Sequence, residues 1–304
     1  MPFRLKNILS NITVPFEVIG NINKSFSSID PIFEATEHSL TWIRSDIANA
    51  THLVDITKSE IIICDKKIVL SKKLIGNKTL LLTEKPEILF IRIVKHLFGR
   101  QIKTKHHIHT SAIVSEKAKL GVNVSIGPFC IIDECEIGDN SVIEANAHIH
   151  DQVFIGKNVI VSEFCNLGGQ GFGHIKNEFG ELENMLHIGK VIIEDNVEIF
   201  PYCNVDRATL SETRIGEGSK IDHYCHIGHN SKIGKQTIIT AHVTLCGGCS
   251  IGNHSWIGVN SVVKDKVRVG NFVTIGMGSN VTKDISDNEM WVGNPARPFT
   301  SYKK

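Results

Sequence analysis

The chain has 304 residues, of which 21% are charged, and its formal net charge at pH 7 is +1. This balance excludes a strongly basic nucleic-acid-binding surface and a long acidic tail. No segment approaches the roughly 18 uninterrupted apolar residues of a membrane-spanning helix, and the first 20 residues lack the apolar core and cleavage site of a signal peptide. We therefore expect a cytoplasmic protein that binds no nucleic acid and has no transmembrane segment.

Residues 1–105 are predicted to form a small α/β domain. The stretches "SLTWI", "EIIICD" and "KTLLLTE" are short, apolar and rich in strand-forming residues, which predicts three strands. The next stretch, "KPEILFIRIVKHLFG", predicts a helix, because Pro86 suits its first turn and Gly99 suits its end. The segment "KTKHHIHTSAIV" then leads into a different kind of sequence.

That second region is dominated by a repeat of six residues. A period of six is neither a helical period nor a plain strand alternation. It fits a triangular parallel β-helix in which each hexad forms one side, three hexads form one coil, and the coils stack their aliphatic side chains in a continuous core. The aliphatic positions are Ile215, Ile221, Ile227, Ile233, Ile239, Leu245, Ile251, Ile257, Val263, Val269, Ile275 and Val281.

The repeat extends upstream, through Leu120, Ile126 and Ile132, and is interrupted twice. Residues 168–187 form a long insertion, and the stretch "ATLSET" carries a four-residue excess before Ile215. Such insertions leave a solenoid as loops on one face, which is often the binding face. We predict a β-helix over residues 106–286, with a loop at 168–187 and a short C-terminal tail at 287–304.

The cysteines follow the same repeat. Five of them occupy the small inward position of their hexads, where a thiol packs like a small apolar side chain. The single CxxC, formed by Cys246 and Cys249, has no second pair. Packing is therefore expected for these residues, rather than a disulfide or a metal site. The five inward cysteines are Cys130, Cys165, Cys203, Cys225 and Cys249.

The stretch "DHYCHIGHNSKIG", residues 222–234, contains three histidines at intervals of three. A metal site, a catalytic base and solvated surface residues are all compatible with this pattern. His229 follows Ile227 by two residues, which places it on the outside of the β-helix, and Asp222 follows Ile221 directly. An outward imidazole can act as a general base, because it titrates near neutral pH.

The sequence resembles the UDP-3-O-acylglucosamine N-acyltransferases of lipid A biosynthesis. The resemblance rests on "IHTSAIVSEKAKLGVNVSIGPF", on "GGQGFG" and on "IGKVIIEDNVEIFPYCNVDRATLSETRIGEGSKIDHYCHIGHNSKIG". It covers most of residues 106–286, is strongest over 188–234 and is faint over the first 105 residues. It implies a mainly β fold, a left-handed parallel β-helix of hexapeptide repeats with a small N-terminal α/β domain.

The resemblance also assigns catalytic roles. It implies that His229 is the general base that takes a proton from an amine, that Asp222 orients this imidazole, and that the backbone N–H of Gly247 stabilises the oxyanion of a thioester under attack. Neither a covalent nucleophile nor a metal is required, and no permanently bound cofactor is implied. The expected activity is amide formation between an acyl thioester and an amino sugar.

The substrate side departs from the family pattern in the small domain. The family holds uracil between two aromatic side chains, and Trp42 in "TWIRSDIA" is the counterpart of one of them. Ser45 and Ala48 replace the other partners. The alternative interpretation is that Trp42 packs within its own domain.

Further departures lie in the β-helix. Lys266 stands where the family has a second histidine, and His242 stands where it usually has glycine. Together with Asn230 and the loop residues Gly171, Phe172 and Gly173, these are the predicted substrate-binding residues. The changes favour a different nucleotide-linked amino sugar as acceptor.

The donor and the oligomeric state are expected from the same comparison. Family members carry C-terminal helices that recognise acyl carrier protein, whereas this sequence ends with "GNPARPFTSYKK", which is similar to coenzyme-A-dependent sugar acetyltransferases. Acyl-CoA is the expected donor, and the lipid A reaction with 3-hydroxyacyl carrier protein is the alternative. The family is trimeric, so we expect a homotrimer in which Asp222 and His229 face Gly247 or residues 171–173 of a neighbour.

Two other classes of function remain open. A metal-dependent hydratase of the γ-carbonic anhydrase type would need three converging histidines, for which His226, His229 and His242 are the candidates. Such an enzyme would purify with stoichiometric zinc. A non-enzymatic β-helix that serves in assembly would be indifferent to His229→Ala.

Overall fold

The computed structural model describes residues 2–68, 77–99 and 107–299. The chain divides into two compact units, residues 1–101 and 102–304. The predicted domain boundary at residues 105 and 106 lies outside the described residues.

The first unit is a five-stranded sheet with three helices. The three predicted strands and the predicted helix are all present. The strand Ile61–Asp65 lies at the centre of the sheet, and all five of its residues are buried, as expected for a parallel strand that is covered on both faces. In spatial order the strands are Glu17–Ile19, Thr79–Thr83, Ile61–Asp65, Ser39–Ile43 and Ser28–Ile29, with Phe3–Arg4 and Ser25–Phe26 as a separate pair. The helices are Leu5–Leu9, Ala50–Ile56 and Pro86–Phe98.

The second unit is the predicted left-handed parallel β-helix, whose three sides are sheets of eight, nine and eleven strands. The eight-stranded sheet contains Lys119–Leu120, Glu136–Ile137, Val153–Ile155, Lys190–Ile193, Glu212–Ile215, Lys232–Ile233, Ser250–Ile251 and Arg268–Val269. The nine-stranded sheet contains Ile113–Val114, Ile131–Ile132, His148–Ile149, Asn166–Gly169, Asn204–Asp206, His226–Ile227, Thr244–Leu245, Val262–Val263 and Asn280–Val281. The eleven-stranded sheet contains His107–Ile108, Ser125–Ile126, Val142–Ile143, Ile160–Val161, Glu198–Ile199, Lys220–Ile221, Ile238–Ile239, Trp256–Ile257, Thr274–Ile275, Met290–Val292 and Arg297–Pro298.

The hexad repeat explains this architecture. All twelve aliphatic residues of the uninterrupted repeat are at most 3% exposed and belong to one core. Residues 18 apart pair in register, as Ile227 does with Leu245, so three hexads form one coil. Many corners contain a residue with positive φ, such as Asn230 at 62°, a conformation that asparagine and glycine adopt most readily.

The inward cysteines are packing residues, as predicted. All five are buried and free. Burial raises the pKa of the Cys249 thiol to about 11, so this group is a neutral thiol at physiological pH.

The β-helix continues beyond the predicted boundary at residue 286. The strand Met290–Val292 pairs in parallel with Thr274–Ile275, and Arg297–Pro298 then folds back against it. Trp291 fills the inward position and is only 9% exposed. It follows Ile275 by 16 residues instead of 18, which is why the hexad count ends before the sheet does.

The described helices contain 5, 7 and 13 residues. None of them is long and apolar enough to cross a membrane.

Candidate active site

His229 lies at the corner that follows the strand His226–Ile227 of the nine-stranded sheet. The next coil brings Gly247 to the same corner, because Leu245 pairs with Ile227. A Cβ atom added to Gly247 would lie 2.5 Å from Nε2 of His229. Only glycine leaves room for the imidazole here, so the sequence prediction that joins these two residues agrees with their positions.

The tautomer of His229 is set by its neighbour Asn230. Oδ1 of Asn230 accepts hydrogen bonds from the backbone N–H of Thr209, at 3.1 Å, and from the Thr209 hydroxyl, at 3.0 Å. This oxygen lies 2.9 Å from Nδ1 of His229. Nδ1 therefore carries the proton and donates a hydrogen bond to the amide oxygen. Nε2 is therefore left with a free lone pair, and the imidazole ring packs against Gly247.

The backbone N–H of Gly247 is available as a hydrogen-bond donor. Within the part of the chain that the structure describes, it has no acceptor. A base lone pair and a free amide donor thus lie side by side. This is the pair of groups that acyl transfer to an amine requires.

The insertion at 168–187 brings a second imidazole to the site. His187 is 1% exposed, and its ring centroid lies 4.8 Å from that of His229. Its Nδ1 donates to the carbonyl oxygen of Met185 at 2.9 Å, which leaves Nε2 as a buried acceptor without a partner among the described residues. Burial, reinforced by His229, lowers the pKa of His187.

Glycine 171 lies between these two histidines. A Cβ atom added to Gly171 would meet Nε2 of His187 at 2.8 Å and Cβ of His229 at 2.9 Å. Gly173 packs against His187 in the same way, at 3.2 Å. The "GGQGFG" motif is therefore part of the site of its own chain. Gly171 and Gly247 of the same chain both lie against His229, and the expectation that Gly247 or residues 171–173 of a neighbour face His229 stays a prediction.

The base of this loop is closed by one side chain. The amide nitrogen of Gln170 donates to the carbonyl oxygen of His187, and its amide oxygen accepts the backbone N–H of His187, both at 3.0 Å. Beyond this neck the loop forms a hairpin of His174–Lys176 with Leu182–Asn184. These two hydrogen bonds of Gln170 keep His187 in place beside His229.

An acidic side chain also lies near the two imidazoles. Asp206, on the nine-stranded sheet, is 6% exposed. Burial raises the pKa of its carboxyl group, against the lowering effects of the hydrogen bond from Asn204 and of the nearby His226, His229 and His187. Neither His187 nor Asp206 was predicted from the sequence. His187 was missed because it lies at the end of an insertion without a repeat, and Asp206 because an acid after an aliphatic residue is common in this repeat.

Asp222 does not contact His229 in this chain. It follows the strand Lys220–Ile221 and therefore lies at a different corner of the triangle. Its Oδ1 lies 2.7 Å from Nδ1 of His223. Burial raises the pKa of Asp222, but the hydrogen bonds from the side chain and backbone of His223 outweigh this effect and hold it below its usual value. Within the chain, Asn230 and not Asp222 contacts the imidazole of His229.

His242 also lies away from His229. It belongs to a column of stacked rings at the Asp222 corner, where it lies 4.9 Å from Tyr224 and nearly parallel to it. Tyr224 stacks on Tyr202 at 5.0 Å. Within the chain, His242 thus joins neither the predicted substrate site nor a histidine triad with His226 and His229.

Two other predicted residues have more exposed positions. Lys266 lies one coil beyond Gly248 at the His229 corner, and its Cγ would be 3.5 Å from a Cβ added to Gly248. Phe172 is 85% exposed, at the tip of the "GFG" turn. Both residues can therefore reach a ligand bound along this corner.

Trp42 packs inside the small domain. Its ring stacks on Phe90 of the helix Pro86–Phe98, with centroids 5.4 Å apart. This packing is the alternative that the sequence left open. Phe90 covers one face of the Trp42 ring, which was predicted to stack on the nucleotide base. A cavity of about 510 Å³ lies near the segment that follows Trp42, and its lining includes Ser45, Asn49 and Lys67.

Comparisons with known proteins agree with the repeat. The bacterial transferase hexapeptide model, which describes six repeats, matches residues 134–169 and 212–247. The UDP-3-O-acylglucosamine N-acyltransferase of Wolinella succinogenes is 33% identical over 163 residues, which are 54% of this chain and 51% of the relative. The enzyme of the same name from Methylobacterium nodulans is 34% identical over 148 residues, 49% of this chain and 42% of the relative. The chain is a hexapeptide-repeat relative of these N-acyltransferases.

A solved structure extends the comparison. The UDP-N-acetylglucosamine acyltransferase of Francisella novicida superposes with a TM-score of 0.58 and 27% identity, over 63% of this chain and 69% of that one. The chain covers about half the length of the curated relatives that it matches. One of the two matched repeat segments contains Asp222, His229, Asn230 and Gly247.

Proposed function

We propose that this chain transfers an acyl group from a thioester to the amino group of a nucleotide-linked amino sugar. The observation that carries the proposal is the position of the Nε2 lone pair of His229 beside the free N–H of Gly247. The names of the relatives support a UDP-linked acceptor and an N-acyl product.

The reaction follows from these two groups. As the sugar amine attacks the thioester carbonyl, Nε2 of His229 takes the proton from the nitrogen. The carbonyl oxygen becomes an oxyanion and accepts a hydrogen bond from Gly247. Collapse of the tetrahedral intermediate breaks the carbon–sulfur bond, forms the amide and transfers the proton from the imidazolium to the departing thiolate.

The position of His187 supports binding of the polar amino sugar beside His229. Its Nε2 is an acceptor buried against His229, and an unpaired buried acceptor is costly. A hydroxyl or amine hydrogen of the sugar would satisfy it. Because burial favours the neutral form of His187, this acceptor is present at neutral pH.

The loop supports an apolar acyl group on the donor. Several large apolar side chains around the hairpin are exposed, and they belong to the segment that brings Gly171 against His229. The donor is a thioester of coenzyme A, with acyl carrier protein as the alternative carrier. The exposed residues are Phe172, Ile175, Phe179, Leu182, Met185, Leu186 and Ile188.

The proposal is tested by thiol release from acyl-CoA and 3-hydroxyacyl carrier protein, with a panel of UDP-linked and other nucleotide-linked amino sugars. Turnover that His229→Ala abolishes is the expected result. Turnover only with the carrier protein and UDP-3-O-acylglucosamine would identify the lipid A reaction. Activity that is unchanged in His229→Ala would contradict the assignment of the base.

A further inference from the structure

A second histidine cluster lies on the outer surface of the nine-stranded sheet, apart from His229. His148 and His150 flank the inward Ile149 and therefore point outward together. Ile132 pairs with Ile149 in the adjacent coil, which places Asp133 beside the two histidines. The reaction proposed above uses none of these three polar residues.

The polar atoms of this cluster converge. Nε2 of His148 lies 3.0 Å from Oδ2 of Asp133, and Nδ1 of His150 lies 3.8 Å from the same oxygen. One ligand atom from each residue lies within 4.8 Å of the others. Ligand atoms of a tetrahedral zinc ion lie about 3.3 Å apart, since the bonds are about 2.0 to 2.2 Å long. To bind an ion, His148 has to give up its hydrogen bond to Asp133, and the rings of His148 and His150, which are stacked with centroids 3.7 Å apart, have to turn toward the ion.

A chain of hydrogen bonds shows which nitrogen of His150 is free. The carboxylate of Asp206 accepts from Nδ2 of Asn204 at 2.5 Å, so the amide oxygen of Asn204 is an acceptor. It accepts from Nδ2 of Asn166 at 2.7 Å. Oδ1 of Asn166 in turn accepts from Nε2 of His150 at 2.8 Å. The proton of neutral His150 therefore lies on Nε2, and Nδ1 presents its lone pair.

This lone pair faces the carboxylate of Asp133. The same Asp133 oxygen accepts a hydrogen bond from Nε2 of His148, and a cation can replace that proton and also match the lone pair of His150. Asn166 holds the imidazole of His150 through its other nitrogen, which is how ligands are commonly oriented around protein metal sites. The geometry and the direction of the hydrogen bonds thus point to the same position.

We propose that Asp133, His148 and His150 bind a divalent transition-metal ion, for which zinc is the best match. Two imidazoles and one carboxylate supply three ligands. The side chain of Asp133 is 43% exposed and that of His148 is 33% exposed, so the fourth position is open to water. The site lies three strands from the strand that precedes His229, about 14 Å away at the usual strand spacing.

The test uses the full chain after removal of metals with a chelator. Zn²⁺ is titrated by calorimetry, and Co²⁺ is titrated by visible absorption, because tetrahedral Co²⁺ has a strong visible band. We expect one equivalent per chain in the unsubstituted protein. His148→Ala and His150→Ala should each weaken Zn²⁺ binding more than tenfold. Asn166→Leu, which removes only the support of His150, should weaken it about tenfold.

Two matched variants complete the experiment. His254→Ala removes an exposed histidine that stacks on Phe272 at another place, and it should bind Zn²⁺ as the unsubstituted chain does. His229→Ala should also keep the ion while it loses acyl transfer, which separates this proposal from the proposed function. Melting temperatures in chelator establish that each variant folds. The absence of saturable Zn²⁺ binding, or binding unchanged in both His148→Ala and His150→Ala, would overturn the proposal.

Discussion

Nδ1 of His229 lies 2.9 Å from Oδ1 of Asn230, and the same amide oxygen accepts the backbone N–H of Thr209. The backbone donor fixes the orientation of the amide, and the amide fixes the tautomer of the imidazole. A neutral group therefore orients the proposed base in this chain. It leaves the lone pair on Nε2, in the ring that packs against Gly247, without adding a negative charge.

The first prediction concerns this pair. Asn230→Ala should lower kcat by about 10- to 100-fold with little change in KM, because the imidazole loses the group that orients it. Asn230→Asp should retain more activity and shift the acidic limb of the pH–rate profile to higher pH, because a carboxylate stabilises the imidazolium. A full pH profile of kcat for both variants checks this. Equal kcat values in the two variants and the unsubstituted chain would contradict it.

The second prediction concerns Gly247. Gly247→Ala should reduce kcat by at least about 100-fold, because the new methyl group would displace Nε2 of His229 and crowd the oxyanion position. Gly278→Asn is the matched control. Gly278 has a positive φ of 66° at a corner of the solenoid, nothing lies within 4 Å of its added Cβ, and asparagine tolerates this conformation. An active Gly247→Ala variant would remove this glycine from the site.

The third prediction concerns pH and stability. Folding lowers the pKa of His187 from its ordinary value of 6.5, so the unfolded chain binds the proton more readily. The free energy of unfolding should therefore decrease as pH falls through 6.5 toward the lowered pKa, and this contribution should be constant above 6.5. His187→Gln should remove it. The melting temperature of the unsubstituted chain relative to the variant should then be higher at pH 7.5 than at pH 5.5, and parallel curves would contradict the assignment.

The fourth prediction concerns the start of the insertion. The guanidinium of Arg207 donates to the carbonyl oxygen of Gly168 at 2.6 Å and to the carboxylate of Asp151 at 2.7 Å, and its side chain is only 10% exposed. Arg207→Ala should lower the free energy of unfolding by about 1 to 3 kcal/mol, because the buried carbonyl oxygen of Gly168 loses a charged donor. The exposed pair of Lys220 and Glu198 offers the control. Lys220→Ala should cost less than about 1 kcal/mol, as measured by urea denaturation.

The fifth prediction concerns subunit assembly. Asp222 and His229 lie at different corners of one chain, so in a trimer Asp222 of one subunit could complete the site of the next. If so, a mixture of inactive His229→Ala and impaired Asp222→Asn chains should recover about one quarter of the activity after subunit exchange, because one site in four then combines two intact residues. A monomer in solution scattering, or no recovery of activity after subunit exchange has been demonstrated, would contradict this arrangement.

Over residues 215–281 the β-helix could be predicted because one physical requirement, an aliphatic residue at each inward position, recurs there without a change of register. His229 and Gly247 could be placed for the same reason, since they lie 18 residues apart and therefore share a corner. Asp222 and His229 belong to successive hexads and therefore lie at different corners. Only the family resemblance paired them. His187 could not be placed, because the insertion before it follows no period. Trp42 could not be assigned, because its contact with Phe90 depends on how a helix packs on a sheet.

The insertion, which Gln170 and His187 close at its base, has two parts that differ in how freely their sequence and length can change during evolution. Residues 170–173 and 185–187 hold His187 beside His229, whereas residues 174–184 of the hairpin make none of these contacts, so we expect that they can change in length and composition without moving His187. Relatives could therefore exchange hairpins and keep their reaction. Under the proposed function, this hairpin is the segment to replace when a different acyl chain is wanted.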